Sequence, residues 1–322
     1  MSRKLAVVVP NLTDAHRQAI REAAERNQCE LRILDAPRED LDYVLSSEIV
    51  FGHLPEIART SPDLQWLATP YAGIDQFLVP DAFANPNALL TNSSGAYGVT
   101  IAEHIVMVLL AILRRDPEYR KIIAEKKWKR SLAIRSICGS RITLLGTGDI
   151  GREAARRLRA FAPASLTGIN RSGKNPENLF DTVKTAAAEE WEDVLPETDV
   201  LIVSLPGTRE AYHLLGRSHL KKLPDGAVII NVGRGSVIDQ AALLAELQTG
   251  RLSAGLDVFE EEPLPKDDPA WTLPNLFITP HTAGNMTLGY TVDRIVEIFI
   301  ENLDRYCANQ PLLHLTDRQR GY

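Results

Sequence analysis

The sequence predicts an α/β fold made of two doubly wound domains, each with a parallel sheet. Three observations support this fold class. The chain has 322 residues, enough for about two domains of ordinary size. Strand-length apolar runs alternate with helix-length segments from end to end, which is typical of parallel sheets covered by helices on both faces. These runs fall into two series, separated by an apolar helix and a charged stretch.

The first series begins near the amino terminus. Leu5–Val9, Leu31–Leu34 and Glu48–Phe51 are predicted strands. Thr13–Arg26 is a predicted amphipathic helix, because its apolar residues recur at helical spacing. The separator that follows consists of an apolar helix predicted at Val99–Arg114 and a charged stretch that continues to residue 135.

The second series contains six predicted strands. They are Arg141–Leu145, Ser165–Ile169, Val200–Leu205, Ala227–Val232, Ala254–Val258 and Leu276–Ile278. Helices are predicted between them at Ile150–Ala160 and Gln240–Gln248. A last long helix, Met286–Cys307, lies too far along the chain to belong to this series, so we expect it to return to the first domain. The predicted domains are therefore 1–98 with 286–322, and 99–285.

Composition and charge exclude several classes of protein. With 44% hydrophobic and 24% charged residues, the chain can bury a core, which excludes global disorder. A net charge of −6 argues against nucleic acid and acidic membranes as partners, because both need a basic surface. The three cysteines are far apart in sequence, so we expect no metal site and a cytoplasmic location. The apolar runs are too short to predict a membrane span.

A glycine-rich loop joins the first strand and the first helix of the second series. The sequence Arg141-Ile-Thr-Leu-Leu-Gly-Thr-Gly-Asp-Ile-Gly151 is a strand that runs directly into G-x-G-x-x-G and then a helix. Gly146 would permit the tight turn, Gly148 the close approach of a pyrophosphate, and Gly151 the packing of helix on strand. The helix N-terminus would supply N–H groups to the phosphates. The predicted dinucleotide-binding residues here are Gly146, Thr147, Gly148, Asp149, Ile150 and Gly151.

The residue after the second strand of this domain bears on the choice of cofactor. An Asp or Glu at this place binds the ribose 2′-hydroxyl of NAD. This chain has Asn170, followed by Arg171 and Ser172. An amide, a guanidinium and a hydroxyl can accept a 2′-phosphate that a carboxylate would repel, so we expect NADP to be favoured over NAD. The alternative is that Arg171 is a solvated arginine that stacks on the adenine.

Three further segments follow predicted strands of the second series: Asn231-Val-Gly-Arg-Gly235, Leu256–Pro265 and Thr279-Pro-His-Thr-Ala-Gly284. Ligands of open α/β sheets bind outside the carboxyl ends of the strands, so an Arg, a Glu and a His would face the dinucleotide. Histidine is the commonest proton donor for hydride transfer to a carbonyl near neutral pH. A carboxylate would stabilise its imidazolium form, and a guanidinium would bind a substrate carboxylate through two hydrogen bonds.

In their order along the chain, these motifs resemble the D-isomer-specific 2-hydroxyacid dehydrogenase family over nearly the whole length. They are GTGDIG at 146–151, NVGRG at 231–235, LDVFEEEPLP at 256–265 and TPHTAG at 279–284, with YAGID at 71–75 and TNSSGAYGVTIAEH at 91–104 in the first domain. The resemblance implies a Rossmann cofactor domain inserted into a flavodoxin-like substrate domain, and a homodimer built on the apolar helix. It also implies reversible, NAD(P)H-dependent reduction of a small 2-oxo acid, of the glyoxylate or hydroxypyruvate type, to the D-2-hydroxy acid.

The resemblance implies roles for individual residues as well. Arg234 would bind the substrate carboxylate and carbonyl, Glu262 would be the partner of the histidine, and His281 would be the acid and base. Asp257 would orient the nicotinamide carboxamide. The implied substrate-binding residues are Ala72 and Gly73, through their backbone N–H groups, and Arg234. Further cofactor contacts are implied for Leu205, Pro206, Thr208, Val232, Gly233, Ala283 and Gly284.

Several alternatives stay open at this point. His53 ends a first-domain strand and is a candidate for the mouth of the substrate site, whereas His104 in the apolar helix is better explained as a buried or interface histidine. Glu260 and Glu261 flank Glu262 and are expected to be solvated. The alternative function is a non-catalytic protein that senses a dinucleotide on the same fold. The intact set of Arg, Glu and His favours the enzyme.

Overall fold

The computed structural model describes residues 2–186 and 189–318. The chain divides into two compact units, Met1–Tyr97 with Asn285–Tyr322, and Gly98–Gly284. In chain order the strands are β1 (Arg3–Val8), β2 (Cys29–Ile33), β3 (Ile49–Gly52), β4 (Trp66–Ala68), β5 (Leu89–Thr91), β6 (Arg141–Leu145), β7 (Ser165–Asn170), β8 (Thr182–Thr185), β9 (Val200–Val203), β10 (Val228–Asn231), β11 (Ser253–Leu256) and β12 (Leu276–Ile278). The helices are α1 (Asp14–Arg26), α2 (Leu41–Leu45), α3 (Pro55–Thr60), α4 (Gly98–Leu113), α5 (Asp116–Ala124), α6 (Asp149–Arg159), α7 (Arg217–Lys222), α8 (Gln240–Gln248) and α9 (Gly289–Cys307). Among the described residues, none of these helices is long and apolar enough to cross a membrane.

The first unit contains a five-stranded parallel sheet in the order β2-β1-β3-β4-β5. This is the flavodoxin-type order of a doubly wound sheet. The first three strands are predicted from the sequence, and their ends differ from the prediction by one or two residues. The strands β4 and β5 are not predicted, because three residues each are too few to show an apolar period.

Two helices of the first unit show why its sequence folds in this way. Thr13 caps α1 by accepting a hydrogen bond from the backbone N–H of His16, while its own N–H donates to His16 Nδ1. The helix α9 packs in this unit through Phe299, whose ring stacks on Phe51 of β3 at 4.0 Å between centroids. Trp66 of β4 lies on the same ring at 5.7 Å, so these three buried aromatic side chains form the centre of the core.

The second unit contains a seven-stranded parallel sheet in the order β12-β11-β10-β9-β6-β7-β8. This is the Rossmann order, extended by one strand, and it reverses between β6 and β9. The fully buried strands β9 and β10 read VLIV and VIIN, as expected for a parallel sheet with both faces covered. The predicted fold class is confirmed. The strand β8 is an addition to the prediction; it lies at the edge of the sheet and is only partly buried.

The apolar helix α4 belongs to the second unit. It packs so closely on the sheet that a Cβ on Gly255 of β11 would lie 2.3 Å from Val108 Cγ1. The charged stretch that follows contains α5, a helix that the sequence pattern does not predict. Its salt bridges Arg115–Glu118 and Arg120–Asp116 join residues three and four apart, which stabilises a helix that buries none of its residues.

Candidate active site

The candidate site lies at the carboxyl edge of the seven-stranded sheet. Because all seven strands are parallel, the loops that follow their carboxyl ends emerge at one edge of the sheet. Leu205, Pro206 and Thr208 follow β9; Val232, Gly233 and Arg234 follow β10; Asp257 and Glu262 follow β11; and His281, Ala283 and Gly284 follow β12. The glycine loop follows β6, and Arg171 and Ser172 follow β7.

Two of the three loop glycines are required by the fold itself. Gly146 has a φ of +107°, a conformation that other residues rarely adopt. A Cβ on Gly151 would lie 2.2 Å from the carbonyl oxygen of Gly146, so only glycine allows α6 to pack this closely on the loop. These two residues shape the turn from β6 into α6.

Gly148 differs from them, since neither its backbone nor its packing requires glycine. Its φ is −72°, and a Cβ at this place would meet no atom within 4 Å. The residue is the N-cap of α6, where the N–H groups of the first turn have no partner inside the helix. A missing side chain there leaves room for a phosphate to reach those N–H groups. The loop therefore fits the pyrophosphate of a dinucleotide.

Asp149, the first residue of α6, has an intramolecular contact in addition to its predicted role. A Cβ on Gly98 would lie 2.4 Å from Asp149 Oδ2, so this carboxylate lies against the first residue of α4. The positive end of the α4 dipole stabilises a negative charge at this position. The neighbouring Thr147 is buried, and Ile150 is half-buried.

Asn170 ties the end of β7 to the glycine loop. Its Nδ2 donates to Thr147 Oγ1 at 2.7 Å and to the carbonyl oxygen of Lys174 at 2.9 Å. Its Oδ1 accepts from the backbone N–H of Gly173 at 2.7 Å and from Ser172 Oγ at 3.2 Å. Since both ends of the amide are used, Asn170 holds the turn that presents Arg171, which is exposed.

The loops after β9, β10 and β11 interlock through two glycines of the NVGRG motif. A Cβ on Gly233 would lie 2.5 Å from the carbonyl oxygen of Leu205. A Cβ on Gly235 would lie 1.9 Å from the carbonyl carbon of Phe259. Each glycine thus allows two backbones to touch, and the contacts fix the loops relative to one another.

Arg234 lies between these two glycines and is half-buried. The buried Asn231 shapes its turn, because Asn231 Nδ2 donates to the carbonyl oxygen of Arg234 at 3.0 Å and Asn231 Oδ1 accepts from the N–H of Gly233 at 3.0 Å. Arg234 Nη1 donates to the carbonyl oxygen of Gly233 at 3.0 Å. The backbone that carries the guanidinium is therefore well determined.

The structure brings Glu262 and His281 together. His281 Nδ1 lies 2.6 Å from Glu262 Oε2, and the other carboxylate oxygen of Glu262 accepts from the backbone N–H of Phe259 at 2.9 Å. The imidazole side chain is 50% exposed. Because Nδ1 faces the carboxylate, Nε2 is the ring nitrogen left to face a reacting group, as in a histidine that exchanges a proton with substrate.

Asp257 is buried and organises the loop that carries the histidine. Its Oδ1 accepts from Thr279 Oγ1 at 2.6 Å and from the N–H of Thr282 at 2.9 Å, and its Oδ2 accepts from the N–H of Ala283 at 3.0 Å. Its carbonyl oxygen accepts from the N–H of His281 at 2.8 Å. Asp257, in the loop after β11, thus binds the loop after β12 at residues that precede His281, at His281 itself and at residues that follow it.

These bonds support an unfavourable backbone conformation. His281 has a φ of +52°, in the left-handed region, which costs a non-glycine residue about 1–3 kcal/mol. Such a conformation persists where surrounding contacts determine it, and the contacts of Asp257 on both sides of His281 do so here. The histidine is therefore held in place by contacts of the protein itself.

The predicted carboxylate-binding turn lies in the first unit, after β4. Asn92 Nδ2 donates to the carbonyl oxygen of Ala72 at 2.9 Å, which fixes the turn that contains Ala72 and Gly73. His53 packs edge-on against Tyr71 at 5.0 Å between ring centroids, and its Nε2 lies 3.3 Å from Gln76 Oε1. Burial lowers the pKa of His53, although the contact with Gln76 opposes the change.

Glu260 is exposed, as expected, but it also makes contacts that the sequence does not predict. Its Oε1 accepts from the backbone N–H of Gln240 at 2.8 Å and lies 3.0 Å from His213 Nε2. Its own N–H donates to Gln240 Oε1 at 3.0 Å. Glu260 therefore anchors the β11 loop to the first residue of α8, and Glu261 is exposed as well, as expected. Sequence alone cannot separate three adjacent glutamates by the direction of their side chains.

The order of the second sheet, the glycine loop and the loops beside it define a dinucleotide-binding α/β protein. Comparison with known proteins makes the class specific: the sequence profile of the "D-isomer specific 2-hydroxyacid dehydrogenase, NAD binding domain" matches residues 106–283. The chain belongs to the D-isomer specific 2-hydroxyacid dehydrogenase family, whose members are NAD(P)-dependent oxidoreductases.

Relatives and solved structures agree with this assignment. The chain is 32% identical over 268 residues to the glyoxylate/hydroxypyruvate reductase B of Serratia proteamaculans (strain 568). The matched region covers 79% of this chain and 81% of the relative. A family member from Aeromonas salmonicida subsp. salmonicida A449 superposes with a TM-score of 0.86 at 32% identity, over 99% of this chain and 100% of that one. The NADPH-dependent glyoxylate/hydroxypyruvate reductase of Sinorhizobium meliloti, solved with NADP and sulfate, superposes with a TM-score of 0.82 at 26% identity over the full length of both chains.

Proposed function

We propose that this enzyme reduces a small 2-oxo acid of the glyoxylate or hydroxypyruvate type to the D-2-hydroxy acid, reversibly, and favours NADPH. The contact of 2.6 Å between His281 Nδ1 and Glu262 Oε2 carries this proposal, because it orients the imidazole and leaves Nε2 to exchange a proton with a carbonyl oxygen. The names of the Serratia and Sinorhizobium relatives support the substrate type.

In this mechanism His281 supplies the proton. As the substrate carbonyl becomes a hydroxyl, Nε2 of the protonated ring donates its proton to the carbonyl oxygen, and the reverse reaction returns it. Glu262 stabilises the imidazolium, and the N–H of Phe259 keeps the carboxylate in place. The nicotinamide, when bound, supplies the hydride.

Arg234 binds the substrate in this proposal. A guanidinium can donate two parallel hydrogen bonds to a carboxylate and polarise the adjacent carbonyl. The backbone N–H groups of Ala72 and Gly73 are proposed as further substrate-binding groups, as the family resemblance implies. The turn that Asn92 fixes through the carbonyl oxygen of Ala72 supports this assignment.

The residues assigned to the cofactor divide by the part of it that they contact. Gly148 and the N-terminus of α6 would bind the pyrophosphate, because the Cβ position of Gly148 is open. Asp257 is assigned to the nicotinamide end, and its bonds to Thr282 and Ala283 shape the backbone there. Arg171 is assigned to the ribose 2′-phosphate of NADPH, next to Asn170, where a carboxylate would favour NADH.

We also propose that the enzyme is a homodimer. Large apolar side chains are exposed in the separator segment: Met107, Ile123, Trp128 and Ile134. Trp128 is 91% exposed in an irregular stretch, so its burial by a second copy would contribute favourably. Sedimentation equilibrium should give twice the chain mass for the wild type and the single mass for Trp128→Lys. A monomeric wild type would contradict the dimer.

A cytoplasmic location is part of the proposal. The three cysteines are free. Burial raises the pKa of Cys29 to about 12, which keeps it a thiol. Free cysteines without a disulfide framework are typical of proteins in a reducing compartment. Cell fractionation with a tagged chain tests the location.

A panel of 2-oxo acids, assayed with NADPH and with NADH, tests the function. We expect turnover of glyoxylate and hydroxypyruvate and a lower KM for NADPH. Chiral analysis of the product should give the D-hydroxy acid where the product is chiral. Cofactor binding without turnover of any member of the panel would contradict the enzyme and favour a dinucleotide-sensing protein.

A further inference from the structure

His104 of α4 contacts the loop of the catalytic histidine at its base. Its Nε2 lies 3.2 Å from Thr279 Oγ1 and 3.9 Å from Asp257 Oδ1. The imidazole side chain is 12% exposed, so it is placed by packing rather than by solvent. The sequence predicts His104 to be a buried or interface histidine, and that prediction includes no contact with the site.

The direction of these hydrogen bonds follows from counting protons. The Asp257 carboxylate can only accept, so the single hydroxyl proton of Thr279 is donated to Asp257 Oδ1 at 2.6 Å. Thr279 Oγ1 therefore accepts from His104, and the proton of His104 lies on Nε2. Burial lowers the pKa of His104, although the charge of Asp257 opposes this, and a neutral ring with a proton on Nε2 is consistent with both contacts.

The chain of donors ends at the residue that holds the catalytic loop. His104 donates to Thr279, and Thr279 donates to Asp257, whose carboxylate then binds the N–H groups of Thr282 and Ala283. In such a chain each bond polarises the next and strengthens it. Removing the first donor takes away the hydrogen bond that Thr279 Oγ1 accepts, and so weakens the bond that Thr279 donates to Asp257.

We propose that His104 is a positioning residue, which through Thr279 and Asp257 holds the backbone on both sides of His281. The role of His281 in this statement rests on the proposed function. The alternative is that His104 only fills space in the packing of α4.

Two substitutions separate these possibilities. His104→Gln keeps an N–H near the position of Nε2, whereas His104→Leu keeps comparable volume and removes the donor. His219→Leu is the matched control, because His219 is also a largely buried histidine of this unit, 3.1 Å from Glu192 Oε1, and lies outside the site.

The first measurement does not depend on activity. Amide hydrogen exchange of the full chain without ligand should be faster at Thr282 and Ala283 in His104→Leu, by about 10-fold or more. Exchange in His104→Gln should be within about 3-fold of the wild type, and His219→Leu should leave both amides unchanged. Unchanged exchange in His104→Leu, or equal acceleration in Leu and Gln, would overturn the proposal.

The second measurement uses the reductase reaction. We expect kcat to fall about 10–100-fold in His104→Leu with little change in the KM of the 2-oxo acid, and to recover in His104→Gln. A change in KM alone would contradict a positioning role for His104. If the wild type reduces no 2-oxo acid, the proposed function fails, while the exchange measurement still decides whether His104 holds the loop.

Discussion

Asn170 Nδ2 donates to Thr147 Oγ1 across 2.7 Å, which joins the end of β7 to the glycine loop. A carboxylate at this place would accept a hydrogen bond from the ribose hydroxyl of NAD, whereas the Nδ2 group of an asparagine is a donor. The same amide accepts from the N–H of Gly173, so the turn that follows is tightly determined. This turn presents Arg171, and the preference for NADPH depends on where that guanidinium lies.

The first prediction concerns Arg171→Ala. If Arg171 meets the 2′-phosphate, the KM for NADPH should rise about 10–100-fold, the worth of one or two charge-assisted hydrogen bonds. The KM for NADH should change by less than about 3-fold, because NADH has a hydroxyl there. Steady-state kinetics with both cofactors measure the difference, with Lys221→Ala on α7 as the control for a lost surface charge. Equal losses with NADPH and NADH would show that Arg171 stacks on the adenine instead.

The fold is predictable because its longer elements carry strong local signals. The buried run VLIV of β9 and the strand–glycine–helix unit around Gly146 each indicate a parallel sheet without reference to the rest of the chain. The three-residue strands β4 and β5 carry no such signal, since they gain their stability from neighbours on the sheet. The helix α5 carries none either, because its residues are mostly charged or polar.

The candidate site shows a similar division. That Arg234, Glu262 and His281 follow strands of one parallel sheet can be inferred from the sequence, since the carboxyl ends of such strands lie at one edge. The contacts of His104 and Glu260 cannot be inferred in this way. Each depends on the rotamer of one side chain and on an element far away in sequence, α4 or α8, and no local pattern specifies either.

The second prediction concerns the interlocked loops. Gly235→Ala would place a Cβ 1.9 Å from the carbonyl carbon of Phe259 and 2.5 Å from the N of Glu260, both backbone atoms that cannot rotate away. The β11 loop must shift, and we expect a loss of about 1–3 kcal/mol in the free energy of unfolding. Because Glu262 lies on that loop, kcat should fall as well. Gly289→Ala is the control, since a Cβ there meets no atom within 4 Å. Urea unfolding that is unchanged in Gly235→Ala would contradict this packing.

The third prediction concerns Arg234→Lys. Lysine keeps the charge but has no fork of two parallel N–H groups, so a bidentate contact with a carboxylate is lost. We expect a higher KM for the 2-oxo acid and a lower kcat, together about 10²-fold or more in kcat/KM, with the Kd of the cofactor nearly unchanged. Fluorescence titration of the cofactor and steady-state kinetics measure the two effects separately. Kinetics like those of the wild type would remove Arg234 from the mechanism.

The fourth prediction concerns the stability of the second sheet. Asp199 accepts from the backbone N–H of Arg141 at 2.8 Å and from its guanidinium at 3.1 and 3.2 Å. Partial burial alone would raise the pKa of Asp199, but these bonds hold it below the usual range. A carboxyl with a lowered pKa stabilises the fold above the unfolded-state value of about 4, and this contribution is lost as the pH falls through the folded-state value.

Asp199→Asn should therefore lower the free energy of unfolding by about 1 kcal/mol at pH 7. This value is small because solvent screens the exposed guanidinium of Arg141. The loss should become smaller as the pH falls below about 4. Urea unfolding across this range measures the difference from the wild type. Asp267→Asn, at an exposed loop carboxylate, is the control. If the difference in the free energy of unfolding stays constant down to a pH of about 3, then the shape of the Asp199 side chain, and not its charge, is responsible.

The last prediction concerns Glu262→Gln. Reduction needs His281 protonated, and oxidation of the hydroxy acid needs it neutral. The carboxylate at 2.6 Å favours the imidazolium, while glutamine keeps the shape and removes the charge. The imidazolium then has no charged partner, so the alkaline limb of kcat/KM for reduction should move to lower pH. Oxidation should become active at lower pH than in the wild type, for the same reason.

His281→Ala is the companion variant, because it removes the proton donor altogether. It should lower kcat/KM by about 10²–10⁴-fold for both reduction and oxidation. It should not shift the pH dependence in the way expected for Glu262→Gln. Glu261→Gln, at the exposed neighbouring carboxylate, is the control for a lost charge on the same loop. The pH dependence of kcat/KM in both directions is the measurement. If activity falls in Glu262→Gln while the alkaline limb stays where it is, then Glu262 orients the ring through Nδ1 and the charge of its carboxylate has no part in the proton transfer.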